Sequence, residues 1–252
     1  MTQKKFSLIL WTVTLIIVAV ACFMRFGSEF GVGLARAEYD YSDETITDIV
    51  VNADSIDLDI ESGDTFEVKS DYKRANEPEV KLTNGKLEIF QKNKSNVNTL
   101  KGCKLSITIP SSVEINSADI TACAGDIDIN GVKFGSLNVD ADAGDIDIER
   151  VEANTVVISA DAGDIDVSKS QFKTIQASAD AGDIDFEDVS GESGTFDADF
   201  GSIDVDGDFD KITASCELGD IDIEVPDPSK VDFDLDCELG SIDVNGRSWH
   251  NN

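Results

Sequence analysis

The stretch that decides the fold is Ala143-Gly144-Asp145-Ile146-Asp147-Ile148, because versions of it recur through the second half of the chain. The other copies are Ala124-Gly125-Asp126-Ile127-Asp128-Ile129, Ala162-Gly163-Asp164-Ile165-Asp166-Val167, Ala181-Gly182-Asp183-Ile184-Asp185-Phe186, Phe200-Gly201-Ser202-Ile203-Asp204-Val205, Leu218-Gly219-Asp220-Ile221-Asp222-Ile223 and Leu239-Gly240-Ser241-Ile242-Asp243-Val244. Successive glycines are 19, 19, 19, 19, 18 and 21 residues apart. A near-constant period of this length is the signature of a solenoid, in which each repeat forms one coil.

Each repeat has the pattern of two strands joined at the glycine. Around Gly144 the apolar residues that alternate with polar ones are Leu137, Val139, Ala141, Ala143, Ile146 and Ile148. Such alternation is typical of strands, and its phase slips at Gly144-Asp145, as a corner requires. The pattern therefore predicts an all-β fold, a single-stranded parallel β-helix of about 19-residue coils, with Ala143 among the inward residues.

The regular repeats occupy residues 111–245, and we expect residues 45–110 to form irregular opening coils that cap them. Asn84-Gly85 lies between two apolar segments and predicts a hairpin turn. Residues 91–104 carry four lysines and have the composition of a long loop. The polar residues 246–252 are expected to be a disordered tail.

Ahead of the repeats, residues 6–24 form an apolar run of 19 residues. That length is enough to cross a hydrocarbon core of about 30 Å as a helix. Lys4 and Lys5 precede the run and favour a cytoplasmic N-terminus. The sequence thus predicts a single-pass cell-membrane protein with a cytoplasmic tail of residues 1–5, a linker of residues 25–44 and an extracytoplasmic C-terminal domain.

Two other fates of the N-terminal segment stay open. Val18-Ala19-Val20-Ala21-Cys22 has the form of a lipoprotein signal, in which Cys22 would carry the lipid. Ala35-Arg36-Ala37 has the form of a signal-peptidase site, although it lies well beyond the apolar run. All three alternatives place the β-solenoid outside the membrane.

The charge of the chain restricts its partners. The sequence has 51 acidic and 20 basic residues, a net charge of -31, and all but one of the acids follow residue 37. Phosphates would be repelled by such a surface, which excludes nucleic acid as a partner. Cations, basic peptides and basic membrane-protein loops are favoured, although the acid could also serve only to keep an exposed β-protein soluble.

Two ladders of aspartates follow from stacking the coils. The corner ladder comprises Asp126, Asp145, Asp164 and Asp183, and the outward ladder comprises Asp128, Asp147, Asp166 and Asp185. Ca²⁺ prefers clustered carboxylate oxygens, so the ladders are candidates for weak Ca²⁺ binding, with a merely solvated acidic face as the alternative. No other cofactor is expected.

Catalysis is not expected. The single histidine, His250, lies in the polar tail, so no Ser–His or Cys–His pair can be proposed. The paired carboxylates recur in every coil, which favours a structural repeat over one active site. Cys216 and Cys237 occupy the same inward position one coil apart, where either a disulfide or two stacked buried thiols would fit.

The Leu105-x-Ile-x-Ile109-Pro110 strand and the repeated Gly-Asp-Ile-Asp-Ile coils, behind one apolar segment, resemble the bacterial "putative adhesin" family of unknown function, which includes LiaG-like membrane proteins. The resemblance covers residues 45–245 and implies a membrane-anchored parallel β-helix without a known active site. Some members of that family are encoded beside envelope-stress genes.

These observations predict a non-enzymatic, membrane-anchored binding or scaffold module at the cell envelope. An accessory of envelope-stress signalling is the alternative, and it would need a membrane partner because only five residues precede the apolar run. A polysaccharide-acting β-helix enzyme is a remote third reading.

Overall fold

The computed structural model describes residues 34–72, 76–91 and 103–248, and this part of the chain is almost entirely β-structure. The opening region holds seven strands: β1 Ala35–Asp40, β2 Asp48–Ala53, β3 Asp57–Gly63, β4 Glu67–Tyr72, β5 Glu79–Thr83, β6 Lys86–Gln91 and β7 Lys104–Pro110. The repeats hold the remaining thirteen: β8 Glu114–Ala122, β9 Ile127–Asn130, β10 Lys133–Ala141, β11 Ile146–Glu149, β12 Glu152–Ala162, β13 Ile165–Ser168, β14 Gln171–Ala181, β15 Ile184–Phe200, β16 Ile203–Leu218, β17 Ile221–Glu224, β18 Asp232–Leu239, β19 Ile242–Val244 and β20 Arg247–Ser248.

The repeats form two parallel walls of a solenoid. Long strands stack as β8, β10, β12 and β14, then the second part of β15, the second part of β16 and β18. Short strands stack as β9, β11, β13, the first parts of β15 and β16, β17 and β19. The seven motif copies thus form seven stacked coils, which confirms the predicted all-β solenoid and its period of about 19 residues.

The core lies between the two walls and is built from ladders of equivalent residues. Ile146 pairs in register with Ile127 and Ile165, and each of the three is fully buried. Val139 and Ile158 form a rung of the facing wall. Because every coil repeats the same inward positions, the apolar interior is continuous along the axis.

Each coil turns first at its glycine, which we call the first corner. A Cβ built on Gly144 would lie 2.3 Å from the carbonyl oxygen of Gly125, and one built on Gly163 would lie 2.1 Å from that of Gly144. Both residues also have positive φ, 129° and 149°. The backbones of successive coils therefore approach too closely at this corner for any side chain.

The second corner follows the short strand, and no recurring residue type marks it in the sequence. The residues there with left-handed φ are Gly131, Arg150, Lys169 and Asp188, at 69°, 55°, 49° and 56°. Gly131 has the residue type that normally marks this conformation and aspartate adopts it occasionally, whereas Arg150 and Lys169 belong to types that rarely do. The next residue in each coil returns to the core, and buried Ser170 is held there by donating to the Ser168 carbonyl at 2.7 Å and accepting from Val151 N–H at 3.0 Å.

Both departures from the 19-residue period fall at the second corner. In the 18-residue repeat the register of β15 on β16 shifts between Glu187 and Val189, so Asp188 has no counterpart in the next coil. In the 21-residue repeat the extra residues form a short 3-10 helix at Pro228–Lys230, capped by the Asp227 side chain. The first corner keeps its geometry in both coils.

The strands of the opening region pair with the same stack of coils, and they do so more regularly than the sequence predicted. β2 and β3 pair in parallel with β8 and β9, and on their other side with β6 and β7. The spatial order of coils therefore differs from their order in the chain. Antiparallel strands complete this end: β4 joins β7, β1 joins β4, and β5 joins β6 through the predicted turn at Asn84-Gly85.

Two predicted boundaries and one predicted inward residue need correction. Part of the expected linker forms β1, in which Arg36 makes a two-pronged ion pair with Asp71 at 2.8 and 3.1 Å. Part of the expected disordered tail forms β20, which pairs with β19. Ala143 is exposed rather than inward, because the chain has already begun to turn before the glycine.

The predicted membrane segment, residues 6–24, and Cys22 lie outside the described residues. Among residues 34–72, 76–91 and 103–248 no helix is long and apolar enough to span a membrane.

Candidate functional site

The corner ladder ties neighbouring coils together. Each carboxylate accepts a hydrogen bond from the backbone N–H of the equivalent residue in the next coil. These bonds join Asp126 to Asp145 at 3.2 Å, Asp145 to Asp164 at 3.0 Å, Asp164 to Asp183 at 2.8 Å, and Asp183 to Ser202 at 2.7 Å. The corner aspartates thus have a structural role that the sequence did not suggest.

The corner ladder continues beyond Asp183. The Ser202 hydroxyl accepts from Asp220 N–H at 3.4 Å, and Asp220 accepts from the backbone and hydroxyl of Ser241 at 2.8 and 2.7 Å. The Ser241 hydrogen bonds hold the pKa of Asp220 below its ordinary value. Serine therefore replaces aspartate in two coils, and both serines keep a hydrogen bond to a neighbouring coil.

The outward ladder has a different environment. Asp128, Asp147, Asp166 and Asp185 stand in register on adjacent short strands and are exposed on the outer face. Partial burial, followed by neighbouring carboxylates, raises the pKa of Asp128, Asp147 and Asp166 above the ordinary value. The ladder is thus a row of like charges that destabilise one another.

Among residues 34–72, 76–91 and 103–248, the basic side chains that form ion pairs near this row lie at its margins. Lys104 pairs with Asp59, which stands beside Asp128 in the register. At the second corner Glu149 accepts from Lys169 at 3.1 Å and pairs with Arg150, and the Lys169 hydrogen bond is the largest cause of the lowered pKa of Glu149. Neither Asp147 nor Asp166 belongs to an ion pair in the described part of the chain.

A groove of about 270 Å³ follows the outward ladder and is lined by Asp128, Asp147, Asp166, Asn130, Glu149 and Ser168, with backbone from the buried strand residues between them. Within the described ranges, no group of three or more Asp, Glu, His or Cys side chains is arranged to hold a metal ion. The arrangement is an extended acidic strip rather than a closed ligand set, and the proposed Ca²⁺ binding stays a prediction.

A second, larger groove of about 490 Å³ lies along the starts of the long strands. Phe134 and Phe172 form part of its floor, and its rim carries both charges, with Lys133 donating to Glu152 at 2.7 Å. Its lining also includes Ser190 and several carboxylates. His250 lies outside the described residues.

Cys216 and Cys237 stand in register on β16 and β18, and both are free thiols, so the disulfide left open by the sequence is not formed. Each thiol instead contacts a glycine carbonyl of the preceding coil, Cys216 with Gly201 at 3.2 Å and Cys237 with Gly219 at 3.4 Å. Burial, with Cys237 adding to it, raises the pKa of Cys216 to about 11. Cys216 is therefore a poor nucleophile, and both thiols pack against the glycines of the first corner.

Sequence reasoning missed an exposed apolar row at the first corner. The residue before the glycine is alanine in four coils but Phe200, Leu218 and Leu239 in the last three, where the side chains are 59%, 48% and 66% exposed. We call these three residues the apolar stripe. The signal was present in the motif, in the change from alanine to large apolar residues before the glycine, but strand alternation alone does not assign these residues to a face.

Comparison with known proteins agrees with this architecture. A family model described as Toastrack DUF4097 matches residues 46–250. A solved "putative adhesin" from Bacteroides fragilis superposes with a TM-score of 0.63 at 14% identity, covering 84% of this chain and 96% of that one.

Two solved proteins from Parabacteroides distasonis are also similar. One is a "putative adhesin" (TM-score 0.51, 16% identity, 85% of this chain and 98% of that one). The other is a "putative lipid binding protein" (TM-score 0.54, 15% identity, 84% and 96%). At these identities the likeness establishes a shared fold. No curated protein matches the chain.

Proposed function

We propose that this chain, which belongs to the Toastrack DUF4097 family, is a membrane-anchored extracytoplasmic binding or scaffold module that recognises a cationic partner. The observation that carries the proposal is the outward ladder. Its carboxylates repeat in every coil, and within the described residues Asp147 and Asp166 form no ion pair with a basic side chain.

The repetition favours binding over catalysis. A catalytic site needs one place where groups differ from their surroundings, with an acid and a base whose environments separate their pKa values. Here Asp147 and Asp166 have equivalent surroundings and pKa values raised for the same reasons. Equivalent groups at a regular spacing suit an extended ligand that meets several coils at once.

The charge of the partner follows from electrostatics. After residue 37 the chain carries 50 acidic and 16 basic residues. A basic peptide or a basic loop of a membrane protein would relieve the repulsion within the outward ladder, and the field of the domain would steer it to the surface. Anionic lipid and nucleic acid would be repelled, so the lipid-binding name of one structural neighbour is not carried over to this chain.

The membrane anchor is part of the proposal and rests on the apolar run at residues 6–24 and the preceding lysines. Protease protection in cells that express the full-length chain tests it. We expect the solenoid to be digested from the outside, and release of the domain into the medium would argue for cleavage instead.

Binding is tested with unstructured peptides of Lys, Gly and Ser, and with matched peptides in which Glu replaces Lys. We expect the basic peptide to bind the full-length chain with an affinity that falls as salt is raised, and the acidic peptide not to bind. Equal binding of both, or salt-independent binding, would contradict the proposal. A panel of polysaccharides, on which we expect no cleavage, tests the enzyme alternative.

A further inference from the structure

We propose that the apolar stripe, Phe200, Leu218 and Leu239, is the docking site for one basic amphipathic helix of the partner. The inference rests on the proposed function and adds to it a place on the surface and a partner conformation. Its starting point is that three large apolar side chains lie side by side and exposed on a strongly acidic domain.

The stripe is continuous because the coils are in register. Ala181 pairs with Phe200, Phe200 with Leu218, and Leu218 with Leu239. Adjacent strands are about 4.8 Å apart, so the three side chains span about 10 Å along the solenoid axis. They form one surface rather than three isolated apolar residues, which would need no explanation.

Packing of the chain itself does not require these large residues. The same position is occupied by Ala143, Ala162 and Ala181 in earlier coils, and those alanines are exposed as well. The first corner therefore forms with alanine at this position and does not need a larger side chain. Exposed phenylalanine and leucine have an unfavourable contact with water that a partner would remove.

Charge decides what kind of partner fits. Each residue of the stripe directly follows an acid, namely Asp199, Glu217 or Glu238. Residues 196–244, which contain the stripe, have 16 acidic and two basic residues. A second copy of this chain would place like charges together, as would an anionic bilayer. A segment that flanks an apolar face with basic side chains is complementary in both respects.

The spacing of the stripe favours a helix over an extended strand. In a helix lying along the solenoid axis, apolar residues at i and i+7 are about 10.5 Å apart, with i+3 or i+4 between them, and this matches the three positions of the stripe. Alternate residues of an extended strand are about 6.7 Å apart, so three of them would span about 13 Å and lose register with the coils.

The test uses the full-length chain in zwitterionic nanodiscs and two fluorescent helical peptides of Ala, Lys and three Leu. One peptide has leucine at i, i+4 and i+7 on one face, and the other has the same composition with the leucines distributed around the helix. Binding is measured by anisotropy for the wild type, the triple variant Phe200→Ala/Leu218→Ala/Leu239→Ala, and the control Phe90→Ala, which removes another exposed apolar side chain.

We expect the one-face peptide to bind the wild type and Phe90→Ala equally, and the triple variant at least about tenfold more weakly. The distributed peptide should bind weakly to all three proteins. The triple variant restores the alanine found in other coils, so its fold, checked by circular dichroism, should be unchanged.

The failures are distinguishable. If both peptides bind all three proteins equally and in a salt-dependent way, the docking site is overturned while cationic recognition stands. If neither peptide binds the wild type, both the docking site and the proposed function fail. A wild-type dimer that the triple variant loses, or binding to added lipid vesicles that the triple variant loses, would assign the stripe to a second copy or to lipid and would overturn the helix.

Discussion

The two corners of each coil both turn the chain from one wall onto the other, but they place different requirements on the residues that form them. At the first corner a glycine is present in all seven motif coils, because the carbonyl of the preceding coil occupies the space of a Cβ. At the second corner Gly131, Arg150, Lys169 and Asp188 share one backbone conformation, and the corner also tolerates loss or gain of residues. Close approach of backbones is thus a stricter constraint on sequence than an unusual φ.

The largest effect should come from Gly163→Ala. The added Cβ would lie 2.1 Å from the Gly144 carbonyl oxygen, an atom fixed in the backbone of the adjacent coil. The alanine would also have to adopt the φ of 149° that this residue has. We expect a loss of about 3 kcal/mol or more in the free energy of unfolding, or a failure to fold. Urea unfolding of the full-length chain, followed by circular dichroism, measures it.

The matched control is Lys169→Gly at the second corner. It relieves a left-handed residue at φ 49° but loses an exposed ion pair with Glu149, so we expect stability within about 1 kcal/mol of the wild type, on the stabilised side. If the alanine at the first corner and the glycine at the second changed stability by similar amounts, the distinction between the corners would be wrong.

A smaller effect should come from the side chain beside the first corner. Asp164→Ala removes the acceptor of the Asp183 N–H bond at 2.8 Å, which resembles the loss of a helix N-cap. We expect a loss of about 1 kcal/mol. Asp164→Asn keeps a carbonyl oxygen in that place and should lose less, as measured by the same unfolding experiment. Equal losses would show that charge, rather than the hydrogen bond, matters there.

The sequence predicted the architecture well because the features that define it recur. Seven glycines at a near-constant period and the Ile-x-Ile alternation predicted the coils, the first corner and the inward short-strand residues. The spatial order of the opening strands could not be obtained, since β2 and β3 pair on both sides with strands that follow them in the chain and no local pattern records this. The second corner was missed because arginine and lysine do not mark a left-handed residue.

The candidate site was predicted only in part for a related reason. Two aspartates in each motif have the same residue type and period, yet Asp164 accepts a backbone hydrogen bond and Asp166 faces other carboxylates. The difference depends on which N–H group the next coil presents, and this follows from the geometry of the corner. The apolar stripe was not anticipated, because its residues share the motif position of Ala143, which the alternation predicts to be inward although the chain turns before the glycine.

The short wall between the corners should respond to pH. Burial and neighbouring acids raise the pKa of Asp147 and Asp166 in the folded state, so their ionisation destabilises the fold. This loss of folding stability is complete above the pKa of the folded state, and it disappears as pH falls below the ordinary aspartate pKa of about 4. We therefore expect the free energy of unfolding of the Asp147→Asn/Asp166→Asn variant at pH 7 to be higher than that of the wild type, by less than about 1 kcal/mol.

Unfolding curves at pH 7, 5 and 4 should show this advantage decreasing towards zero as the wild-type carboxylates take up protons. An advantage that grew on acidification would mean that the outward ladder is stabilised by its charge, and would contradict its assignment as a row of like charges.

The smallest effect should be the response to Ca²⁺ beyond that to salt. The corner carboxylates already use an oxygen on a backbone N–H, and the outward carboxylates form an open row. A tight Ca²⁺ site needs six to eight converging oxygens. Ca²⁺ and NaCl at matched ionic strength should therefore raise the melting temperature about equally by screening. A larger, saturable Ca²⁺ shift that is lost when Asp145, Asp147, Asp164 and Asp166 are all changed to Asn would instead establish coordination, by mass action on the folded state.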